Sequence, residues 1–103
     1  MTDKSVTYEI TATVRSDLID RYEPFMRERH IPDLMRTGCF LGATISRSTP
    51  GRYRIRYEAR SRAHLEAYLA EHAPALRRHF DDTFPSGIEL SREEWDVLES
   101  WRD

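Results

Sequence analysis

Only one cysteine, Cys39, occurs in 103 residues, which excludes an internal disulfide and a zinc cage built from cysteines. Lysine is nearly absent as well: Lys4 stands alone among 16 basic side chains, and the rest are arginine. Glycine occurs 4 times and proline 5 times, too rarely for a collagen-like or low-complexity chain. No uncharged apolar run approaches the ~20 residues that a membrane helix needs. The start, Met1-Thr2-Asp3-Lys4-Ser5, lacks the apolar stretch of a secretory signal. A reduced, cytoplasmic protein is expected. Excess charge is missing too. Sixteen bases against 18 acids give a net charge of −2 and a pI of about 6.1, which argues against a general nucleic-acid binder.

What is present is enough for one small core. Hydrophobic residues make up 39% and charged residues 33%, and this length permits a single domain over 1–103. The charge is unevenly placed. Residues 81–103 carry Arg92 and Arg102 against eight acids, while the rest is net basic. An acidic tail from about residue 91 is expected, either solvated or neutralised by docking on its own body or on a second subunit.

Val6 to Val14 alternates strictly, with Val6, Tyr8, Ile10, Ala12 and Val14 on one side and Thr7, Glu9, Thr11 and Thr13 on the other. That period of two predicts a strand. Ser16-Asp17 offers a helix cap, and Leu18, Tyr22, Phe25, Met26 and His30 follow at helical spacing, interrupted by Pro24. Cys39 to Arg47 and Arg52 to Arg60 read as two further strands around the turn Ser48-Thr49-Pro50-Gly51. In the latter strand Tyr53, Ile55, Tyr57 and Ala59 share the inner face and the arginines the outer. Ser61 caps a second helix with Leu65, Tyr68, Leu69, His72, Leu76, His79 and Phe80 inward. Ile88 and Leu90 predict a short fourth strand, and Glu93 to Trp101 a helical or irregular tail. The order β-α-β-β-α-β is an α+β, ferredoxin-like arrangement with an antiparallel sheet.

An internal repeat supports two stacked halves. The pattern His-x-Pro-x-Leu-x-Arg occurs at 30–36 and again at 72–78, an offset of 42 residues. His30 and His72 each fall on the apolar stripe of a helix. Two readings stand side by side. Each histidine serves a helix kink by bonding a carbonyl freed by proline, or the two imidazoles face one helix–sheet cavity as candidate acid–base catalysts. Tyr8 and Tyr57, on the inner faces of their strands, are candidate ligand-orienting groups, and His79 a further ligand-binding candidate. Cys39 reads as a small buried hydrophobe. The four histidines lie no closer than seven residues apart, so no metal site is specified, and no cofactor motif is recognisable. The sequence Gly51-Arg52-Tyr53-Arg54-Ile55-Arg56-Tyr57 mimics an RNA-recognition strand, but its tyrosines share parity with Ile55 and should face the helices. A sheet covered on one side leaves the other open, and pairing two such faces across a two-fold axis predicts a homodimer with Arg–Glu pairs between subunits.

These motifs, His30-Ile31-Pro32 with Thr37-Gly38-Cys39-Phe40 and then Glu71-His72-Ala73-Pro74-Ala75-Leu76-Arg77, resemble a bacterial family of domains of unknown function from Tyr8 to about Leu90. More distantly the chain is similar to the dimeric α+β barrel superfamily, with its EthD and antibiotic-biosynthesis-monooxygenase branches. In the EthD branch a Phe-rich helix also ends in His-x-Pro, as Phe25 to Pro32 does here. The resemblance implies a two-fold dimer and a pocket between helices and sheet. That pocket would take a small aromatic or polyketide-like molecule, lined by Tyr8, His30, Tyr57 and His72. It further implies cofactor-independent cyclase, isomerase, dehydratase or monooxygenase chemistry. Pro24 departs from the pattern, and fold membership does not set the reaction. The alternative is a non-catalytic homodimeric binding or accessory protein with structural histidines.

Overall fold

The computed structural model describes residues 5–103. Strand β1 (Val6–Val14) leads through a 3-10 turn (Ser16–Leu18) into helix α1 (Ile19–Phe25), a π-helical turn (Met26–His30) and α2 (Ile31–Met35). Strands β2 (Phe40–Thr49) and β3 (Arg52–Ala59) form a hairpin. Helix α3 (Arg62–Ala67), a second π-helical turn (Tyr68–His72) and α4 (Ala73–Thr83) then lead to β4 (Ile88–Asp96). The sheet order is β2-β3-β1-β4 with every pairing antiparallel. This is the ferredoxin-like βαββαβ fold, its helices packed on one face.

The strand parity is observed as the alternation requires. Tyr53, Ile55, Tyr57 and Ala59 are buried while Arg52, Arg54, Arg56 and Glu58 are exposed. Register places Tyr8 opposite Tyr57, Ile10 opposite Ile55 and Ala12 opposite Tyr53. Burying a large apolar side chain contributes roughly 1.5–3 kcal/mol, whereas an exposed ion pair contributes at most about 1 kcal/mol. The aromatic core, not the arginine network, therefore holds the fold. One polar tie reaches the core's edge: the Tyr53 hydroxyl and Arg47 both donate to Glu23, joining α1 to the β2–β3 hairpin.

Glycine is required at the hairpin turn. Gly51 has φ +86°, and a Cβ there would lie 2.7 Å from the Val14 carbonyl oxygen. The Val14 N–H in turn donates to the Gly51 carbonyl at 2.7 Å. Gly38, at φ +77°, follows the first helical segment as its stop.

Two expectations change. Asp17 is engaged by the Arg15 side chain rather than capping the helix, and no side-chain cap is present at this end. The second helix does have its cap, Ser61 Oγ accepting from the His64 N–H at 3.1 Å. The larger correction concerns the C-terminal segment. The fourth strand is nine residues long and pairs along all of β1, from Val14↔Ile88 to Val6↔Asp96. Arg62 neutralises Glu94 and Asp96 from the neighbouring helix, so acids that read as a tail are held in a sheet edge. Beyond it, the Val97 N–H donates to the Ser5 carbonyl at 2.8 Å, and Val97, Ser100 and Arg102 border the hollow above Thr7. That explains why Thr7, on the outer sheet face, is only 2% exposed.

The two His-x-Pro motifs have a common backbone cause. Proline has no N–H, and its ring clashes with the carbonyl four residues earlier. The residue before each proline donates instead to a carbonyl five residues back: Ile31 to Met26, and Ala73 to Tyr68. Each motif thus closes a five-residue π turn whose last residue is the histidine. Such turns recur at functional sites, because they re-aim side chains within a helix.

Candidate functional site

A small cavity lies between the helices and β1, β3 and β4. Tyr8 and Tyr57 line it from the sheet, and Tyr22, Met26, His30 and Leu34 line it from the first helical segment. Tyr68, Arg77 and Phe80 close it from the second, with Leu90 and Arg92 of β4 alongside. The cavity holds about 40 Å³. One water takes roughly 30 Å³ of the liquid, so the enclosed space admits a water or one polar corner of a larger molecule.

Two buried polar atoms in this wall have no hydrogen-bond partner among the described residues: Tyr22 Oη and His30 Nδ1. Leaving such a group unmatched costs roughly 1–3 kcal/mol, so both are poised for an outside partner. Tyr22 is fully buried, its ring 4.9 Å from that of Tyr53. Burial pushes its phenol well above the ordinary range, so it remains a neutral donor. The His30 ring is held between Phe25 (5.7 Å, stacked at 26°) and Phe80 (5.5 Å). Burial is the main force pushing its imidazole down to about 4; Asp33 pulls the other way, and His79 and Arg92 add to the push. At neutral pH His30 is uncharged and able to accept a proton.

Tyr8 stacks on Tyr57 at 6.1 Å and accepts a hydrogen bond from Arg77 Nη2 at 3.0 Å. Burial pushes the Tyr57 phenol up as well. The structure therefore brings Tyr8, Tyr57 and His30 to one cavity. It does not bring His72 or His79 there. The His72 ring stacks on Tyr68, 6.4 Å away, and it is the Tyr68 ring, one turn earlier, that faces the cavity. His79 lies against Phe25 at 5.7 Å. Only the first motif's histidine lines the cavity, so the repeat is a repeat of backbone geometry and not of the site. Tyr22, Arg77 and Arg92 are additions. Tyr22 shares the helical stripe of His30, a signal visible in the spacing. Arg92 shares the parity of Ile88 and Leu90, but the short strand that the sequence predicts stops before it, and its pairing opposite Ile10 shows that the strand runs on.

Cys39 is buried and free. Among the described residues no group of three or more His, Cys, Asp or Glu side chains is placed to hold a metal ion. No helix among them is long and apolar enough to cross a membrane.

A family described as a domain of unknown function, DUF4286, matches residues 5–98. The chain belongs to the DUF4286 family. A comparison with curated proteins finds no significant match. Solved structures place the DUF4286 fold more widely. A mutant of SnoaB, a cofactor-independent oxygenase from Streptomyces nogalater, superposes with a TM-score of 0.75 at 15% identity, covering 96% of this chain and 98% of that one. A dimeric ferredoxin-like protein from an uncultured marine organism gives 0.69 at 17% identity, covering 96% and 100%. An antibiotic biosynthesis monooxygenase gives 0.69 at 17% identity, covering 91% and 99%. At these identities the likeness is one of fold. This DUF4286 chain is similar to the antibiotic-biosynthesis-monooxygenase-like branch of ferredoxin-like proteins, as its motifs imply.

Proposed function

We propose that this protein binds a small aromatic or polyketide-like molecule at the helix–sheet cavity and transforms it by cofactor-independent acid–base catalysis. The observation that carries the reading is the pair of unpartnered buried atoms, His30 Nδ1 and Tyr22 Oη, on one cavity wall. A carbonyl or phenol edge of the ligand enters the enclosed space, and the rest of the ring system extends toward solvent. The His30 Nδ1 takes a proton from the carbon next to the carbonyl, and the Tyr22 hydroxyl donates to the oxygen on which negative charge develops. Tyr8 and Tyr57 set the orientation of the ring. His72 and His79 stand outside this step. The similarity to a cofactor-independent oxygenase fold supports chemistry of this kind.

Deuterium exchange into the methyl group of acetophenone, followed by NMR, tests the proposal with a small aromatic ketone. The wild-type protein should accelerate exchange, and His30→Gln should lower the rate about 100-fold or more, the usual scale for a positioned base. An unaccelerated wild type, or an unaltered His30→Gln rate in a folded protein, would leave the histidine structural and the protein a binding or accessory module.

The working assembly in this reading is a homodimer built on the open sheet face. Trp95 of β4 is a large apolar side chain left 50% exposed in water. Trp95 pairs opposite Thr7 on that face, beside Glu93 of β4. Arg54 and Arg56 of β3 lie across it, so a two-fold axis would set the acidic strand of one subunit over the basic strand of the other. The neighbour described as dimeric is consistent with this. Light scattering should return about twice 12.2 kDa for the wild type and a single 12.2 kDa protomer for Trp95→Lys. A monomeric wild type would overturn the assembly.

A further inference from the structure

The chemistry at the mouth of the cavity says something about the ligand's charge. Six arginines have an acid within ion-pair distance among the described residues: Arg15 with Asp17, Arg29 and Arg36 with Asp33, Arg47 with Glu23, Arg54 with Glu9, and Arg62 with Glu94 and Asp96. The two that line the cavity do not. Arg77 of α4 is half-buried, and the hydrogen bond it makes is to the Tyr8 hydroxyl. Arg92 of β4 pairs opposite Ile10, on the helix-facing side of the strand, and forms no ion pair among the described residues. Its neighbour on that side, Glu94, is already taken by Arg62. Two guanidinium groups from different elements thus converge on one opening with no counter-charge, above walls of tyrosine, leucine and phenylalanine.

We infer that Arg77 and Arg92 form a carboxylate subsite, so that the ligand is a small aromatic acid whose other end carries a carbonyl or hydroxyl. This deepens the proposed function and rests on its pocket. Guanidinium presents N–H donors in a planar fork that matches a carboxylate. The partly covered site is screened less by salt than an open surface would be. Arg77, braced by Tyr8, is the preformed half, and Arg92, exposed on the sheet edge, is the half that closes on the ligand. At the inner end, Tyr22 Oη and His30 Nδ1 are both uncharged at neutral pH, so they suit a carbonyl or phenol and not a second acid. The two ends of the site therefore select two different oxygen chemistries on one molecule.

Binding of 4-hydroxybenzoate and the longer 4-hydroxycinnamate, each compared with its methyl ester by calorimetry, tests this on the intact protein. At least one acid should bind tenfold or more tightly than its ester, and its affinity should fall as salt is raised. Arg92→Gln, at an exposed position that the core does not need, should remove most of that preference while leaving ester binding in place; Arg77→Gln should do the same. Equal affinity for acid and ester, or a preference untouched by Arg92→Gln, would overturn the carboxylate subsite and leave the pocket standing. Tighter binding of 4-hydroxyphenyl phosphate than of either acid would overturn the choice of carboxylate over phosphate. If no acid, ester or phosphate binds, the pocket reading falls as well.

Discussion

Lowering the pH from 7.5 to 5 should cost the folded protein about 2 kcal/mol through His30 alone, and His30→Phe should abolish that loss. An unfolded imidazole titrates near 6.5, whereas burial in the fold pushes His30 down to about 4. Between these values the unfolded chain holds a proton that the folded chain refuses. The contribution is complete above the unfolded value, falls as the pH drops through the window, and levels off below the folded value, where it totals on the order of 3 kcal/mol. The groups that face the ring set this balance. Asp33 on α2 draws its value up, but its carboxylate is shared between Arg29 and Arg36. His79 of α4 and Arg92 of β4 push it further down. Phenylalanine keeps the stack between Phe25 and Phe80 and removes both the titration and the unpartnered nitrogen, so the variant should start no less stable at pH 7.5. Urea denaturation of both proteins at a series of pH values above 5 reads the effect before the carboxylates of Glu23 and Asp17, both held below their ordinary values by hydrogen bonds, begin to titrate. Parallel curves for the two proteins would mean that His30 is solvated.

Phe80→Ala should lower the unfolding free energy by about 3–5 kcal/mol, against a total of about 5–15 kcal/mol for a domain of this kind. Phe80 is the hub of the aromatic cluster. Its ring lies 5.5 Å from both His30 and Phe84, 6.0 Å from Phe25, and edge-on to Tyr22 at 6.4 Å. Truncation removes the buried ring, and the void it leaves joins the existing cavity, so neighbours cannot close over it without leaving their own contacts. Phe80→Leu, which retains branched apolar volume, should lose less and remain folded. The denaturant midpoint of each variant measures this. A loss under about 1 kcal/mol for the alanine variant would mean that Phe80 is not packed at the centre of the cluster.

Much of this architecture is legible in the residue order, because strand parity and helical stripes are local properties. Tyr53, Ile55, Tyr57 and Ala59 read as inward from spacing alone and are inward. The extent of the fourth strand was not legible. Glu93, Glu94 and Asp96 have poor strand propensity, and their place in β4 depends on pairing with β1 and on Arg62 arriving from another element. The site divides in the same way. His30 and Tyr22 share a stripe that spacing reveals, whereas the convergence of Arg77 and Arg92 requires α4 to pack beside a strand whose register no local pattern specifies.

The scarcities of the sequence decided what cannot hold this protein together. One cysteine leaves no disulfide, and the absence of lysine beyond Lys4 leaves arginine as the cation of nearly every ion pair. Alternation and the two His-x-Pro motifs decided the order of elements and the places where each helix must widen into a π turn, since proline's missing N–H acts within a few residues. Only the tertiary structure decided which of two equivalent histidines meets a cavity. The two motifs are alike in chain and backbone, but the His72 ring stacks on Tyr68 outside the cavity lining, whereas burial among Phe25 and Phe80 pushes the His30 imidazole down. Desolvation comes from what surrounds a group in space, and the chain sets those surroundings only once it has folded.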